Sequence, residues 1–212
     1  MTIKEQTRRG FMGRALALSG GVAAVLVAPV SFCRELGSQL ATITGRIVFR
    51  RDADYSQWWS SMSWYLCMPK RYPELIVRAK TEQDVITAVN YARSKNLKVA
   101  LRSGGHNPAK AALREGSLLL DLSRFRKVDI DVAAKTAWVE PGIHGEKLVK
   151  MLAKENLDFP AAHTGVVPIG GYVMGGGLGW NMPERDVACR SILAAEVITA
   201  DGKKLVASAD EN

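Results

Sequence analysis

Between positions 74 and 122 the apolar residues fall into two patterns. Glu74–Ala79, Leu97–Leu101 and Leu118–Leu122 are short runs rich in Leu, Ile and Val, the mark of buried strands. Pro69 and Pro73 keep the segment before the first run out of a helix. Between the first two runs, Val85, Ala88, Val89 and Ala92 recur at helical spacing. Thr81 stands as N-cap before Glu82 and Asp84, and the pattern fades at Lys95-Asn96. Strand, helix and strand thus form a β-α-β unit that runs directly into Arg102-Ser103-Gly104-Gly105-His106-Asn107.

Downstream, Lys127–Asp131 and Thr136–Glu140 alternate as a hairpin around Ala133-Ala134, which Pro141-Gly142 ends. His144–Glu155 carries Leu148, Val149 and Leu152 on one face and reads as a second helix. Ile192–Ala200 and Lys204–Ala207 flank Asp201-Gly202, a dipeptide that favours a type I′ turn. The fold class expected is α+β: one β-α-β unit followed by mostly antiparallel strands.

Length changes this picture little, since 212 residues make one domain with an appendage. Charge changes it at one end. Of the net charge of +8, three units come from the first 14 positions (Lys4, Arg8, Arg9 and Arg14 against Glu5) and +5 from the rest. Later basic residues are interleaved with acids and form no helical stripe with aromatics, which argues against a nucleic-acid partner. Thr7-Arg8-Arg9-Gly10-Phe11-Met12 followed by a stretch without ionisable side chains up to Cys33 resembles a twin-arginine export signal. The expected organisation is a signal over 1–33, a lead-in over 34–68 and the folded domain over 69–212. The protein is expected to be exported, to the periplasm or outside the cell, with no stable membrane span once the signal is removed. An anchor formed by residues 15–32 is the alternative. Cys33, Cys67 and Cys189 lack metal-site spacing, so no metal centre is expected; Cys67 and Cys189 are read either as a pair or as buried free thiols.

The strongest chemical signal is glycine. Gly170, Gly171, Gly175, Gly176, Gly177 and Gly179 fall within ten positions, and Gly104-Gly105 directly follow a strand. Neither G-x-G-x-x-G nor G-x-x-x-x-G-K-[ST] is present, so the common dinucleotide and P-loop patterns fail on spacing. Backbone free of side chains after a strand still lets N–H groups approach an anion such as a pyrophosphate, and the second glycine stretch offers a surface for a flat ring.

Six motifs in order then carry a resemblance: Arg102–Asn107, Leu119-Leu120-Asp121-Leu122-Ser123, Val139-Glu140-Pro141-Gly142, Phe159-Pro160-Ala161-Ala162-His163, Gly170–Gly179 and Glu196–Gly202. From about Trp58 onward the chain resembles the FAD-binding domain (PCMH type) of the berberine-bridge-enzyme-like oxidases, in the vanillyl-alcohol oxidase superfamily. The resemblance implies FAD as cofactor, bonded through its 8α-methyl carbon to His106. Arg102, Ser103, Gly104, Gly105 and Asn107 match the loop around the pyrophosphate. Gly170, Gly171 and Gly175 match the second FAD loop, Leu178 a backbone position beside it, and Ile198 one whose main chain faces the adenine. Many members also link FAD through a cysteine; Thr164 stands at that position, so one link is expected. Pro168 replaces a family glycine, which predicts a shifted second loop. His144 and His163 carry no assigned role. The implied reaction is oxidation of a small molecule, at a hydroxyl or C–H bond, with O2 as acceptor. Family members are longer, and the domain that supplies their substrate pocket and usual base has no counterpart in this sequence. Two readings therefore stay open, an FAD-linked oxidase and a non-catalytic flavin-binding module, with catalytic residues unassigned.

Overall fold

The structure is a computed structural model that describes residues 39–212; the twin-arginine motif and the apolar segment after it lie outside the described residues. Four strands form the main sheet: β1 (Arg46–Phe49), β2 (Leu75–Arg78), β3 (Val99–Arg102) and β4 (Leu118–Asp121). Their spatial order is β1-β2-β4-β3, with β1 antiparallel to β2 and the other three parallel. The β-α-β unit read from the sequence forms, with β2 and β3 parallel, and β4 is inserted between its two strands. The physical reason is burial. Every residue of β4 is buried, whereas Leu101 of β3 is 62% exposed, so the Leu-Leu-Leu strand takes the centre and the less apolar one the edge.

Alternation along the central strands splits the core into two layers. Leu75, Val77, Leu118 and Leu120 face helix α2 (Glu82–Ser94), meeting Val85, Ala88, Tyr91 and Ala92. Ile76 and Leu119 point the other way, into Val48, Tyr55, Met62 and Leu113, with Trp58 and Trp59 of helix α1 (Tyr55–Ser60) packed outside. The segment read as lead-in therefore supplies an edge strand and a covering helix of the same sheet.

Thr81 caps α2 as expected. Its hydroxyl accepts from the Asp84 N–H while Asp84 accepts from the Thr81 N–H. Asp84 does more than close this box: its buried carboxylate also accepts from the main-chain N–H groups of Thr44, Gly45 and Lys80 and from the Thr44 hydroxyl. One side chain thus ties the approach to β1 to the start of α2.

A second, smaller layer packs hairpin β5 (Val128–Asp131) and β6 (Thr136–Val139) on helices α3 (Gly145–Ala153) and α4 (Ile169–Met174), around Ile143, Leu148, Leu152 and Ile169. α4 was not foreseen, since its Gly-Gly pair reads as loop; Pro168, with φ −73°, stands at its N-cap and favours the turn. Short α5 (Met182–Arg185) follows, and then hairpin β7 (Ala194–Ile198) with β8 (Lys204–Ser208). Its turn is not type I′. Only Gly202 has a positive φ, +78°, and its N–H donates to the Thr199 carbonyl while the Thr199 N–H donates to Lys203. That is a three-residue loop closed by a glycine bulge, with Asp201 kept at negative φ. Cys67 and Cys189 are both free and exposed, correcting both the pairing and the burial read from the sequence. Among the described residues no helix is long and apolar enough to cross a membrane.

Candidate functional site

Three of the apolar runs end in a charged residue, and the sheet register places those ends in one row. Arg78, Asp121 and Arg102 are mutual partners across β2, β4 and β3, at the carboxyl ends of parallel strands. That end of a parallel sheet is where ligands bind in open α/β folds. Asp121 is fully buried; its carboxylate accepts from Arg78 Nε at 2.6 Å, from a terminal nitrogen of Arg102 at 2.7 Å, and from the N–H and hydroxyl of Ser123. Buried charge demands such partners, and here two cations meet one anion, so the row keeps a positive surplus.

Arg78 is also stacked over Trp58, 4.4 Å from the ring centre. Arg102 donates to the carbonyls of Met62 (2.9 Å), Ser61 and Gly104. Both guanidinium groups are therefore held in place, and what they offer a ligand is field and position. Beyond them opens a cleft of about 420 Å³ lined by Arg78, Arg102, Ser103, Gly104, His106, Ser123, Arg124, Arg126 and His144, with Trp64 and Val166. Arg124 and Arg126 are exposed. No carboxylate lines the cleft, so its charge suits an anion such as a diphosphate.

The two glycine stretches meet at this cleft, and each glycine has its own reason. A side chain on Gly104 would overlap the Pro168 ring, and one on Gly170 would overlap Pro141 and crowd the Ser103 hydroxyl, so these two serve the contact between the loops. Pro168 thus fills the space beside Gly104, which is how the chain accommodates it. Gly105 has φ +75° and its Cα faces the Met62 carbonyl. Gly171 differs: it is exposed, helical, without a positive φ, and a Cβ there would meet nothing within 4 Å. Glycine in a helix costs about 1 kcal/mol against alanine. Neither packing nor a positive φ requires glycine here, and the backbone at Gly171 stands open.

His106 lies with its ring stacked on Trp64, centres 5.0 Å apart and planes 20° off parallel. Burial lowers its pKa from the usual 6.5, and the charges of His144 and Arg102 lower it further. His144, at the N-cap of α3, is lowered likewise by burial and by Arg126. Both imidazoles are shifted toward the neutral form, which carries a lone pair on one ring nitrogen.

Of the residues singled out from the sequence, Arg102, Ser103, Gly104 and His106 line the cleft together, with Gly105 and Gly170 behind them. Asn107 is exposed and its side chain accepts from the Ala109 N–H, closing the loop. Gly175 caps α4, Leu178 is 64% exposed, and the Ile198 side chain packs on the α2 core; these three stand outside the cleft. Thr164 and His163 are exposed, and His163 meets Trp180 edge-on. Sequence reasoning missed the roles of Arg78, Asp121, Trp64, Arg124 and Arg126. The signal for the first two was the repeated ending of an apolar run in one charge, Leu-Ile-Val-Arg, Val-Ala-Leu-Arg and Leu-Leu-Leu-Asp. Among the described residues no group of His, Cys, Asp and Glu could hold a metal.

Comparison with known proteins agrees with this geometry. Residues 73–208 match the family model described as an FAD binding domain. The chain is 34% identical over 168 residues to the FAD-linked oxidoreductase janO of Penicillium janthinellum, covering 78% of this chain and 37% of that protein. It is 33% identical over 185 residues to (R)-6-hydroxynicotine oxidase of Paenarthrobacter nicotinovorans, covering 83% and 38%. Among solved structures, 6-hydroxy-D-nicotine oxidase from Arthrobacter nicotinovorans superposes with a TM-score of 0.73 at 30% identity, over 80% of this chain and 37% of the other. Wild-type BBE-like 1 of Physcomitrella patens gives 0.74 at 28% identity, over 84% and 38%. The chain thus spans somewhat over a third of the length of the curated relatives it matches. With a cationic cleft at the strand ends, two glycine stretches converging on it and this match across most of the described residues, the chain belongs to the berberine-bridge-enzyme-like FAD-linked oxidoreductases and carries their FAD-binding domain.

Proposed function

We propose that this chain seats FAD in the cleft beyond Arg78, Asp121 and Arg102, bonds it through His106 alone, and forms the flavin half of an oxidase. Its substrate would be a small molecule bearing a hydroxyl or an activated C–H bond, with O2 as acceptor. The observation that carries the reading is the cleft lining, in which Arg78, Arg102, Arg124 and Arg126 meet the Ser103-Gly104 loop and His106 with no carboxylate among them. The residues present fit the cofactor: Arg124, Arg126, Ser103 and Ser123 line the cleft and no carboxylate there opposes a diphosphate. When bound, FAD supplies hydride acceptance and transfer of electrons to O2. The chain's own part is to hold the diphosphate by charge and main-chain contact, and to present a neutral His106 lone pair to the ring's methyl carbon. Thr164, an alcohol at the position where the resemblance places a thiol in many family members, leaves His106 as the single attachment point.

The cleft also favours a second reading, a flavin-binding module without catalysis of its own. Asp121 is fully engaged by its arginines and no carboxylate lines the cleft, so none there stands ready to take a substrate proton.

The test is an absorption spectrum of protein expressed with excess FAD, before and after acid precipitation. Flavin that stays with the precipitate in the wild type and is released by His106→Ala supports the link. Covalent flavin in the His106→Ala protein refutes the assignment. Export by the twin-arginine route is a separate proposal, motivated by Arg8-Arg9 ahead of the apolar segment. Replacing both with Lys should retain the protein in the cytoplasm, and an exported double variant would refute it.

A further inference from the structure

The segment between β1 and β2 lines the cleft with one side chain, Trp64. Arg102 Nε donates to the Met62 carbonyl at 2.9 Å, the Trp64 N–H donates to the Gly105 carbonyl at 3.1 Å, and the Met62 carbonyl lies where a Gly105 Cβ would be. These contacts fix residues 62–64 against the loop 102–106, in a register that sets the Trp64 indole on the His106 imidazole. The Gly104 backbone also runs close to the ring, since an added Cβ would lie 3.3 Å from His106 Cδ2. Trp64 is nevertheless 62% exposed, which is a poor return for a large apolar ring if its role were to fill the core.

We propose that Trp64 is a positioning residue, holding the His106 ring at the angle from which it bonds to FAD. The inference rests on the covalent link proposed above. In that step an imidazole N–C bond replaces one C–H bond of the flavin 8α-methyl group. The methyl hydrogen, the imidazole N–H proton and the accompanying electron pair end on the flavin as its two-electron-reduced form, from which O2 removes them as hydrogen peroxide. Such a step is sensitive to angle, because a misplacement of about 1 Å at a reacting pair costs up to about a hundredfold in rate. The low pKa of His106 adds that the lone pair is present to be aimed.

The experiment uses the full chain produced without flavin and mixed with FAD. Three quantities are followed: the rate at which flavin becomes resistant to acid precipitation, the Kd for FAD before linkage, and the imidazole proton shifts of His106 by NMR. Trp64→Ala should slow linkage by about tenfold or more while Kd changes by less than about threefold, and the His106 resonances should move downfield as the indole ring current is lost. Trp64→Phe, which keeps a ring, should recover most of the rate and part of the shift. Linkage by Trp64→Ala at the wild-type rate overturns the role of Trp64 and leaves the link standing. A loss of affinity as large as the loss of rate overturns it too, since Trp64 would then be structural. Wild-type protein that binds FAD, shows the ring-current shift and never links overturns the His106 link itself, and with it the purpose assigned to the stacking.

Discussion

Gly104 and Gly171 look alike in the sequence, and their surroundings separate them. Gly104→Val drives a side chain into the Pro168 ring and should lower both Tm and FAD affinity, because the two loops are pushed apart. Gly171→Leu places its side chain in open space on a helix that glycine weakens. It should leave the fold intact or stabilise it by about 0.5–1 kcal/mol while weakening FAD binding at least tenfold. Thermal melts and flavin titration of the two variants check this, and a Gly171→Leu protein with unchanged FAD affinity would show that the second glycine stretch takes no part in the cofactor seat. Asp186 gives a second expectation of this kind. Its φ of 63° and ψ of −176° belong to a region that is nearly glycine's alone. Asp186→Gly should raise stability by about 1 kcal/mol; the exposed pair with Arg190 that it loses contributes little.

At the level of elements, Asp84 decides how α2 joins the sheet. Burial by itself would raise its pKa, and the donors from Lys80, Thr44 and Thr81 outweigh that and hold it below the ordinary 3.8. Asp84→Asn keeps the size but loses the charge and turns acceptors into donors against N–H groups, at a cost of about 1–3 kcal/mol. Acid should act in two stages. The folded pKa values of His106 and His144 lie below 6.5, so as pH falls through 6.5 the unfolded chain binds protons first and stability drops. Asp84, also lower in the fold than in the unfolded chain, holds its full contribution above 3.8 and loses it as pH falls through its lower folded value. Denaturant melts across pH should show both stages. His144→Gln should shrink the upper one; an unchanged upper stage would show that this imidazole is not held neutral by the fold.

For the whole molecule, the apolar surface is uneven. Leu66, Met174, Trp180 and Leu193 are 98%, 88%, 82% and 70% exposed, in addition to the β3 edge residue Leu101. Exposed apolar area and an open sheet edge favour association. The chain expressed by itself should therefore self-associate with rising concentration in light scattering, and Trp180→Ser with Leu193→Glu should reduce it. A monomer at every concentration in the unsubstituted chain would show that these side chains cover one another in solution.

Sequence alone determined the elements whose signals are local. The α2 N-cap, the α3 stripe, the two hairpins and the glycine stretches all follow from spacing within a few residues, where propensity and capping act. Six ordered motifs were enough to identify the cofactor family. Tertiary structure decided what depends on neighbours distant in the chain. The order β1-β2-β4-β3 was set by which strand could be buried on every side, and α4 formed in a glycine-rich stretch because Pro168 and the Ile143 cluster hold it there. Register alone turned Arg78, Asp121 and Arg102, 43 and 19 residues apart, into one charged row. Trp64 reached His106 through its main-chain hydrogen bond to Gly105 and the Arg102 side chain's bond to the Met62 carbonyl, which no periodicity encodes. Period and caps are properties of a segment, whereas a site is a property of segments packed together, and packing energy depends on the whole set of contacts at once.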